Sequence, residues 1–236
     1  MKKSLKLTFV LFIILFIASF MAWKIMNSRT FQFFGGIIQK ANTQEKVVAL
    51  TFDDGPSEKV DVILPILKDL DVKATFFLIG SEIERYPEEA KKLVLDGHQL
   101  GNHTYSHNRM VFKSPSYIKQ EIEKTNSLIK EAGYEGVIQF RPPNGKKLIF
   151  LPYYLKQHNQ KTILWDLEPN SYPDINSSSD KIAKYVIDNV KPGSIILLHP
   201  MYDEKGNTIN SIKNIVEGLR SKGYTFKTVN ELLTME

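Results

Sequence analysis

The chain contains no cysteine in 236 residues, which excludes disulfides, thiolate metal ligands and a cysteine nucleophile. Any bound metal must therefore be held by His, Asp or Glu. Internal repeats and low-complexity tracts are also missing. A strong charge bias is absent too: 31 Lys and Arg face 26 Asp and Glu, a formal net charge of +5. The basic residues alternate with acidic ones, as between Ser116 and Gly133, and no basic stripe tracks a phosphate backbone. No nucleic acid and no protein partner is expected, while a weak attraction to an anionic cell wall fits the small positive excess.

What is present begins with one long apolar run. Lys2, Lys3 and Lys6 precede an almost uninterrupted stretch from Leu7 to Trp23, and Lys24 follows it. No polar face interrupts the run, so a buried core helix is disfavoured. It reads as an export signal. A cleavage site needs small residues at two positions before the cut, yet Phe20 or Phe16 occupies the outer one, which favours an uncleaved anchor. The lysine cluster predicts a cytoplasmic N-terminus and an extracellular remainder. The expected organisation is a signal-anchor over 1–28, a linker over 29–45 and one catalytic-sized domain over 46–236, near the size of a single α/β barrel. Cleavage of the anchor would instead give a secreted protein.

Beyond Lys46, strand-like runs alternate with helical spacing. Val47 to Phe52, Ala74 to Ile79, Gln99 to Asn102, Val137 to Phe140, Thr162 to Leu167, Ser194 to Leu198 and Thr225 to Val229 read as strands. Glu58 to Leu70, Tyr86 to Asp96, Ser116 to Ala132, Asp180 to Val190 and Asn210 to Lys222 read as helices. Such alternation predicts an α/β fold with a parallel sheet, either open and doubly wound or closed into a barrel.

The unusual polar residues follow strand ends. Asp53 and Asp54 follow the first strand, His103 and His107 the third, Arg141 the fourth, Glu168 the fifth and His199 the sixth. In a parallel barrel these ends share one rim, where barrel enzymes assemble their sites. Taken singly, each is ordinary: Asp-Asp-Gly-Pro is also turn chemistry, Arg141-Pro142-Pro143 also a stiff loop, His199 also a rim histidine and Trp165 also core. His103 and His107 are four apart, which on a helical turn would place both imidazoles on one face, a spacing suited to a shared metal. His98 and His158 have no such setting.

Together, Thr51-Phe52-Asp53-Asp54-Gly55-Pro56, His103-Thr104-Tyr105-Ser106-His107, Arg141-Pro142-Pro143-Asn144-Gly145 and Leu197-Leu198-His199 occur in that order. In this the sequence resembles the polysaccharide deacetylase family, the NodB-homology group of carbohydrate esterases (family 4), from about Lys46 onward. The resemblance implies a distorted, incomplete (β/α) barrel of about seven parallel strands behind the N-terminal transmembrane helix. It implies hydrolysis of N-acetyl groups on aminosugar polymers such as peptidoglycan or chitin-like oligomers. Asp54, His103 and His107 would hold a divalent metal, Zn²⁺ above Mn²⁺ or Co²⁺. Asp53 would be the general base, His199 the general acid, and Arg141 would orient Asp53 and keep it ionised. The Asn144 backbone amide would stabilise the oxyanion, Leu197 would line the acetyl-methyl pocket, and Tyr172 and Trp165 would contact substrate.

The sequence departs from the family at Glu168-Pro169-Asn170-Ser171-Tyr172, where Ser171 replaces the carboxylate that usually tethers the acid histidine. Glu168, Asp166 or Asp174 stand near enough in sequence to substitute. Two further readings use the same residues differently: an O-acetyl esterase acting on a xylan-type glycan, and a catalytically silent protein that binds cell-wall glycan.

Overall fold

The computed structural model describes residues 2–235. Its first helix, α1 (Lys2–Asn27), has exposed apolar side chains along most of its length and is long and apolar enough from Lys6 to Asn27 to cross a membrane. The strands are β1 (Ile37–Ile38), β2 (Val47–Gly55), β3 (Thr75–Leu78), β4 (Gln99–Asn102), β5 (Gln139–Phe140), β6 (Thr162–Ile163), β7 (Ile195–Leu198) and β8 (Thr225–Phe226). The helices after α1 are α2 (Val60–Asp69), α3 (Gly80–Arg85), α4 (Pro87–Leu95), α5 (Pro115–Glu131), α6 (Phe150–Gln157), α7 (Ser179–Asn189), α8 (Asn207–Ser221) and α9 (Val229–Leu233).

Seven strands run parallel in the order β1-β6-β5-β4-β3-β2-β7, and β8 joins the start of β2. The expected incomplete barrel is thus a half-barrel. Its two faces follow from the two-residue period of a strand. Val48, Leu50 and Phe52 of β2 join Phe76, Leu78, Ile196 and Leu198 in the larger core, together with residues of α2, α4, α7 and α8. The alternate residues Val47 and Ala49 join Phe77, Ile195 and Leu197 in the smaller inner core. Further along β2 that inner face turns polar at Thr51 and Asp53, both buried. A buried polar face needs internal partners, and the candidate site grows from those partners.

Several elements differ from the sequence reading. The run from Thr162 keeps strand geometry only to Ile163, and Leu167 regains a single bridge to Ile196. The run from Thr225 ends at Phe226, because Thr228 caps α9 in a reciprocal box with Glu231; the Thr-x-x-Glu spacing marks a helix start. Helices α3 and α6 were not read from the pattern, being too short to show a clear apolar period. His103 to His107 is a turn between β4 and α5, not a helix.

Residues 29–45 lie against this body. β1 pairs with β6, and the Ala41 amide donates to the Gly193 carbonyl at 2.9 Å. Gly193 has φ +79°, and a Cβ there would meet the Ala41 oxygen at 2.2 Å. Gly193→Ala therefore combines left-handed strain with a backbone clash and should destabilise the protein by about 1–3 kcal/mol. Urea unfolding followed by tryptophan fluorescence checks this; a loss no larger than about 1 kcal/mol, which left-handed strain alone costs, would mean that the 29–45 segment does not dock in solution.

Candidate active site

A regular strand would point Asp53 and Asp54 to opposite faces. The register between β2 and β3 shifts between Asp53 and Gly55, and Asp54 has φ +69°. This bulge turns both carboxylates toward one cavity of about 390 Å³, which they line with His103, His107, Asn144, Trp165, Glu168 and His199 among others.

Asp53 is fixed by Arg141. The guanidinium is fully buried, with Nη1 2.6 Å from Asp53 Oδ1 and 2.9 Å from Thr51 Oγ1. Nη2 donates to the Leu164 carbonyl at 3.1 Å and Nε to that of Ile163 at 3.4 Å. The plane packs 3.9 Å from the Phe77 ring centre. Burial lowers the proton affinity of Arg141, and the charge of Asp53 opposes that shift. An arginine remains charged under such conditions.

The two histidines converge without a helix. The Asn102 side chain accepts from the Thr104 amide at 2.8 Å, and Thr104 Oγ1 accepts from the His107 amide at 3.1 Å. Thr104 and His107 both adopt positive φ. Glu121, buried on α5, accepts from the amides of Tyr105 and Ser106 at 3.0 and 2.9 Å. The result is a tight loop carrying His103 and His107 with ring centres 4.9 Å apart.

His103 Nδ1 lies 2.8 Å from the Arg141 carbonyl. A carbonyl only accepts, so the proton sits on Nδ1 and Nε2 faces the cavity. His103 Nε2 is 3.5 Å and His107 Nε2 3.1 Å from Asp54 Oδ1. That oxygen is buried and, among the described residues, accepts no hydrogen bond. Burial would push the Asp54 carboxyl up, but the two imidazoles hold it well below the usual carboxylate range. For His103, burial opposes protonation, but Asp53 and Asp54 prevail and raise its pKa. The potential ligand atoms of Asp54, His103 and His107 all lie within 4.8 Å of one another. One carboxylate oxygen without a donor and two imidazoles aimed at it fit a divalent cation of the zinc, manganese or cobalt type.

His199 lines the cavity directly after β7. Its backbone amide donates to Asn170 Oδ1 at 3.1 Å. None of the three carboxylates considered as its tether touches the imidazole among the described contacts. Asp166 accepts from Ser194 Oγ and the Ile195 amide at 2.7 and 2.9 Å, Glu168 accepts from Trp165 Nε1 at 2.8 Å, and Asp174 is exposed. Asn144 has φ +53° and its side-chain oxygen accepts from Arg109 Nε at 3.0 Å. Trp165 is on the cavity wall, whereas Leu197 is fully buried in the inner core and the exposed Tyr172 packs against Tyr185 with the rings tilted by 44° and 5.5 Å between centres. Glu121 and Asn170 were missed from sequence. Glu121 had a signal, a carboxylate on the same helical face as Ile118, Ile122 and Thr125; Asn170 had none.

A family profile described as polysaccharide deacetylase matches residues 40–163. A peptidoglycan-N-acetylglucosamine deacetylase of Bacillus cereus is 30% identical over 200 residues, spanning 84% of this chain and 93% of that protein. A crystal structure of a peptidoglycan N-acetylglucosamine deacetylase in complex with 4-naphthalen-1-yl-N-oxidanyl-benzamide superposes with a TM-score of 0.78 at 31% identity, covering 84% of this chain and 92% of that one. A family 4 carbohydrate esterase pseudoenzyme from Bacillus anthracis superposes with a TM-score of 0.75 at 29% identity, covering 84% of this chain and 69% of that one.

The loop that carries His103 and His107 is held by the Glu121 carboxylate. Glu121→Ala should weaken Zn²⁺ binding about 10- to 100-fold, as when groups supporting metal ligands are lost. Isothermal titration calorimetry measures this, and unchanged affinity would show that the loop orders itself without Glu121.

Proposed function

The chain belongs to the polysaccharide deacetylase family, and we propose that it is a metal-dependent N-deacetylase of cell-wall aminosugar polymers, held at the membrane by α1 with the half-barrel outside. The observation that carries the reading is the convergence of Asp53, Asp54, His103, His107 and His199 on one cavity. Peptidoglycan is the favoured polymer, supported by the names of the relatives above. The apolar α1 and the lysines that begin the chain support the anchor and its orientation.

In this reading Asp54, His103 and His107 hold the cation, which when bound supplies Lewis-acid polarisation of the acetyl carbonyl and a lowered pKa for water. Asp53 takes a proton from the attacking water. Arg141 positions Asp53 through the contact between Nη1 and Oδ1. His199 delivers a proton to the departing amine. The Asn144 amide adds a donor to the developing oxyanion, an interaction worth about 3–4 kcal/mol in comparable sites. Trp165 forms one wall against the sugar. An O-acetyl ester would pass through the same residues, because ester and amide hydrolysis share the tetrahedral stage.

A second reading, glycan binding without turnover, draws on the likeness to a pseudoenzyme and on the His199 imidazole, which no described carboxylate contacts. The intact base and ligand set weigh against it.

Acetate release from peptidoglycan and from N-acetylglucosamine oligomers tests both. Chelator should abolish release and added Zn²⁺ restore it, while Asp53→Asn and His199→Ala should each lower kcat by about 10²–10⁴-fold. No release from any glycan by protein that binds metal stoichiometrically would favour the second reading.

A further inference from the structure

The cavity has a wall that does not come from the barrel. Asn27, the last residue of α1, and Arg29, two residues later, both line it. The segment is clamped by the loop after β5: Lys146 Nζ donates to Asn27 Oδ1, and the fully buried Lys147 donates through Nζ to the Ser28 carbonyl. Arg29 Nη2 reaches Glu168 Oε2 at 3.1 Å, and its guanidinium carbon lies 4.9 Å from the Trp165 ring centre.

Each carboxylate on this cavity already has a cationic or imidazole neighbour. Asp53 has Arg141, Glu168 has Arg29, and Asp54 has His103 and His107. Among the described residues Lys146 is the remaining cation on the wall, and in the described ion pairs it has no carboxylate. It is crowded by its own sign: burial lowers its pKa first, and the charges of Arg109 and Arg29 lower it further. Arg29 spends one described hydrogen bond on Glu168, which leaves most of a five-donor fork for another acceptor. Glu168 answers one of the two positive charges of Arg29 and Lys146 and leaves the other without a described carboxylate; a cation so placed at a cleft steers and holds an anionic ligand.

We propose that Arg29 and Lys146 form a cationic subsite for a carboxylate borne by the glycan beside its acetamido group, so that the segment leaving α1 sets a preference for acidic over neutral acetamido sugars. This rests on the deacetylase reading. Arg29 acts as a specificity-determining residue supplied by the membrane-exit segment, and Lys146 both anchors that segment and adds the second charge.

The test uses the full chain in detergent micelles and three tetrasaccharides: one alternating N-acetylglucosamine with N-acetylmuramic acid, its methyl ester, and neutral N-acetylglucosamine tetramer. The native protein should favour the acid over its ester by about tenfold or more in kcat/KM. Arg29→Ala and Lys146→Met should each bring that ratio close to one through KM, with Arg29→Lys recovering part of it. Equal use of acid and ester by the native protein overturns the proposal, as does a loss in Arg29→Ala that falls equally on both through kcat. If no glycan is deacetylated, the deacetylase reading fails separately. Calorimetric affinity of the Asp53→Asn protein for acid and ester then decides, and equal binding overturns the cationic subsite.

Discussion

The ion pair between Arg141 and Asp53 is the contact on which the rest of the centre is built. A guanidinium with no solvent exposure lies inside the half-barrel and spends its donors on β2 and on the chain leaving β6. Removing either partner would leave the other charged, buried and alone, a situation that costs about 3–5 kcal/mol. The same residue sets His103 through its backbone, since the Arg141 carbonyl receives the Nδ1 proton. One arginine thus couples the inner strand face, the carboxylate above it and the orientation of a cavity-facing imidazole. A lysine lacks the planar fork needed to satisfy two carbonyls, a hydroxyl and a carboxylate at once.

Strain is concentrated where this chemistry would occur. Asp54, Thr104, His107 and Asn144 all have positive φ, a region that non-glycine residues adopt at a cost and keep only when their surroundings enforce it. The enforcing contacts are visible: a bulge in β2, the Asn102 and Glu121 side chains around the histidine loop, and Arg109 on Asn144. The inner face of β2 changes from Val47 and Ala49 to Thr51 and Asp53, so a single strand passes from core to site along its length.

Much of this is legible in the sequence. The strand-end positions of Asp53, His103, Arg141 and His199 and the ordered motifs led to the half-barrel and to one shared cavity, because a parallel sheet sends all its strand ends to one rim. Other features escaped for identifiable reasons. The spacing of His103 and His107 suggested a helix, yet side-chain acceptors from Asn102 and Glu121 offered the backbone a turn instead. The bulge that turns both aspartates inward lies in strand pairing, which a single sequence does not display. The neighbours expected of His199 are carboxylates, whereas Asn170, an amide, holds its backbone. The short β1 and the docking of Ala41 arise from contacts with residues more than a hundred positions away.

The close junction between α1 and the cavity has a mechanical meaning. The helix ends at Asn27, and Asn27 is already part of the cavity wall, so there is no slack between helix and cavity. A long flexible leash would let a domain sample many heights and orientations. Here the two are joined as a handle is joined to a blade, and tilting α1 tilts the opening of the cavity. If α1 spans a bilayer as proposed, the thickness and tilt that fit the helix would also set how far from the surface, and at what angle, the proposed glycan substrate must pass to be reached.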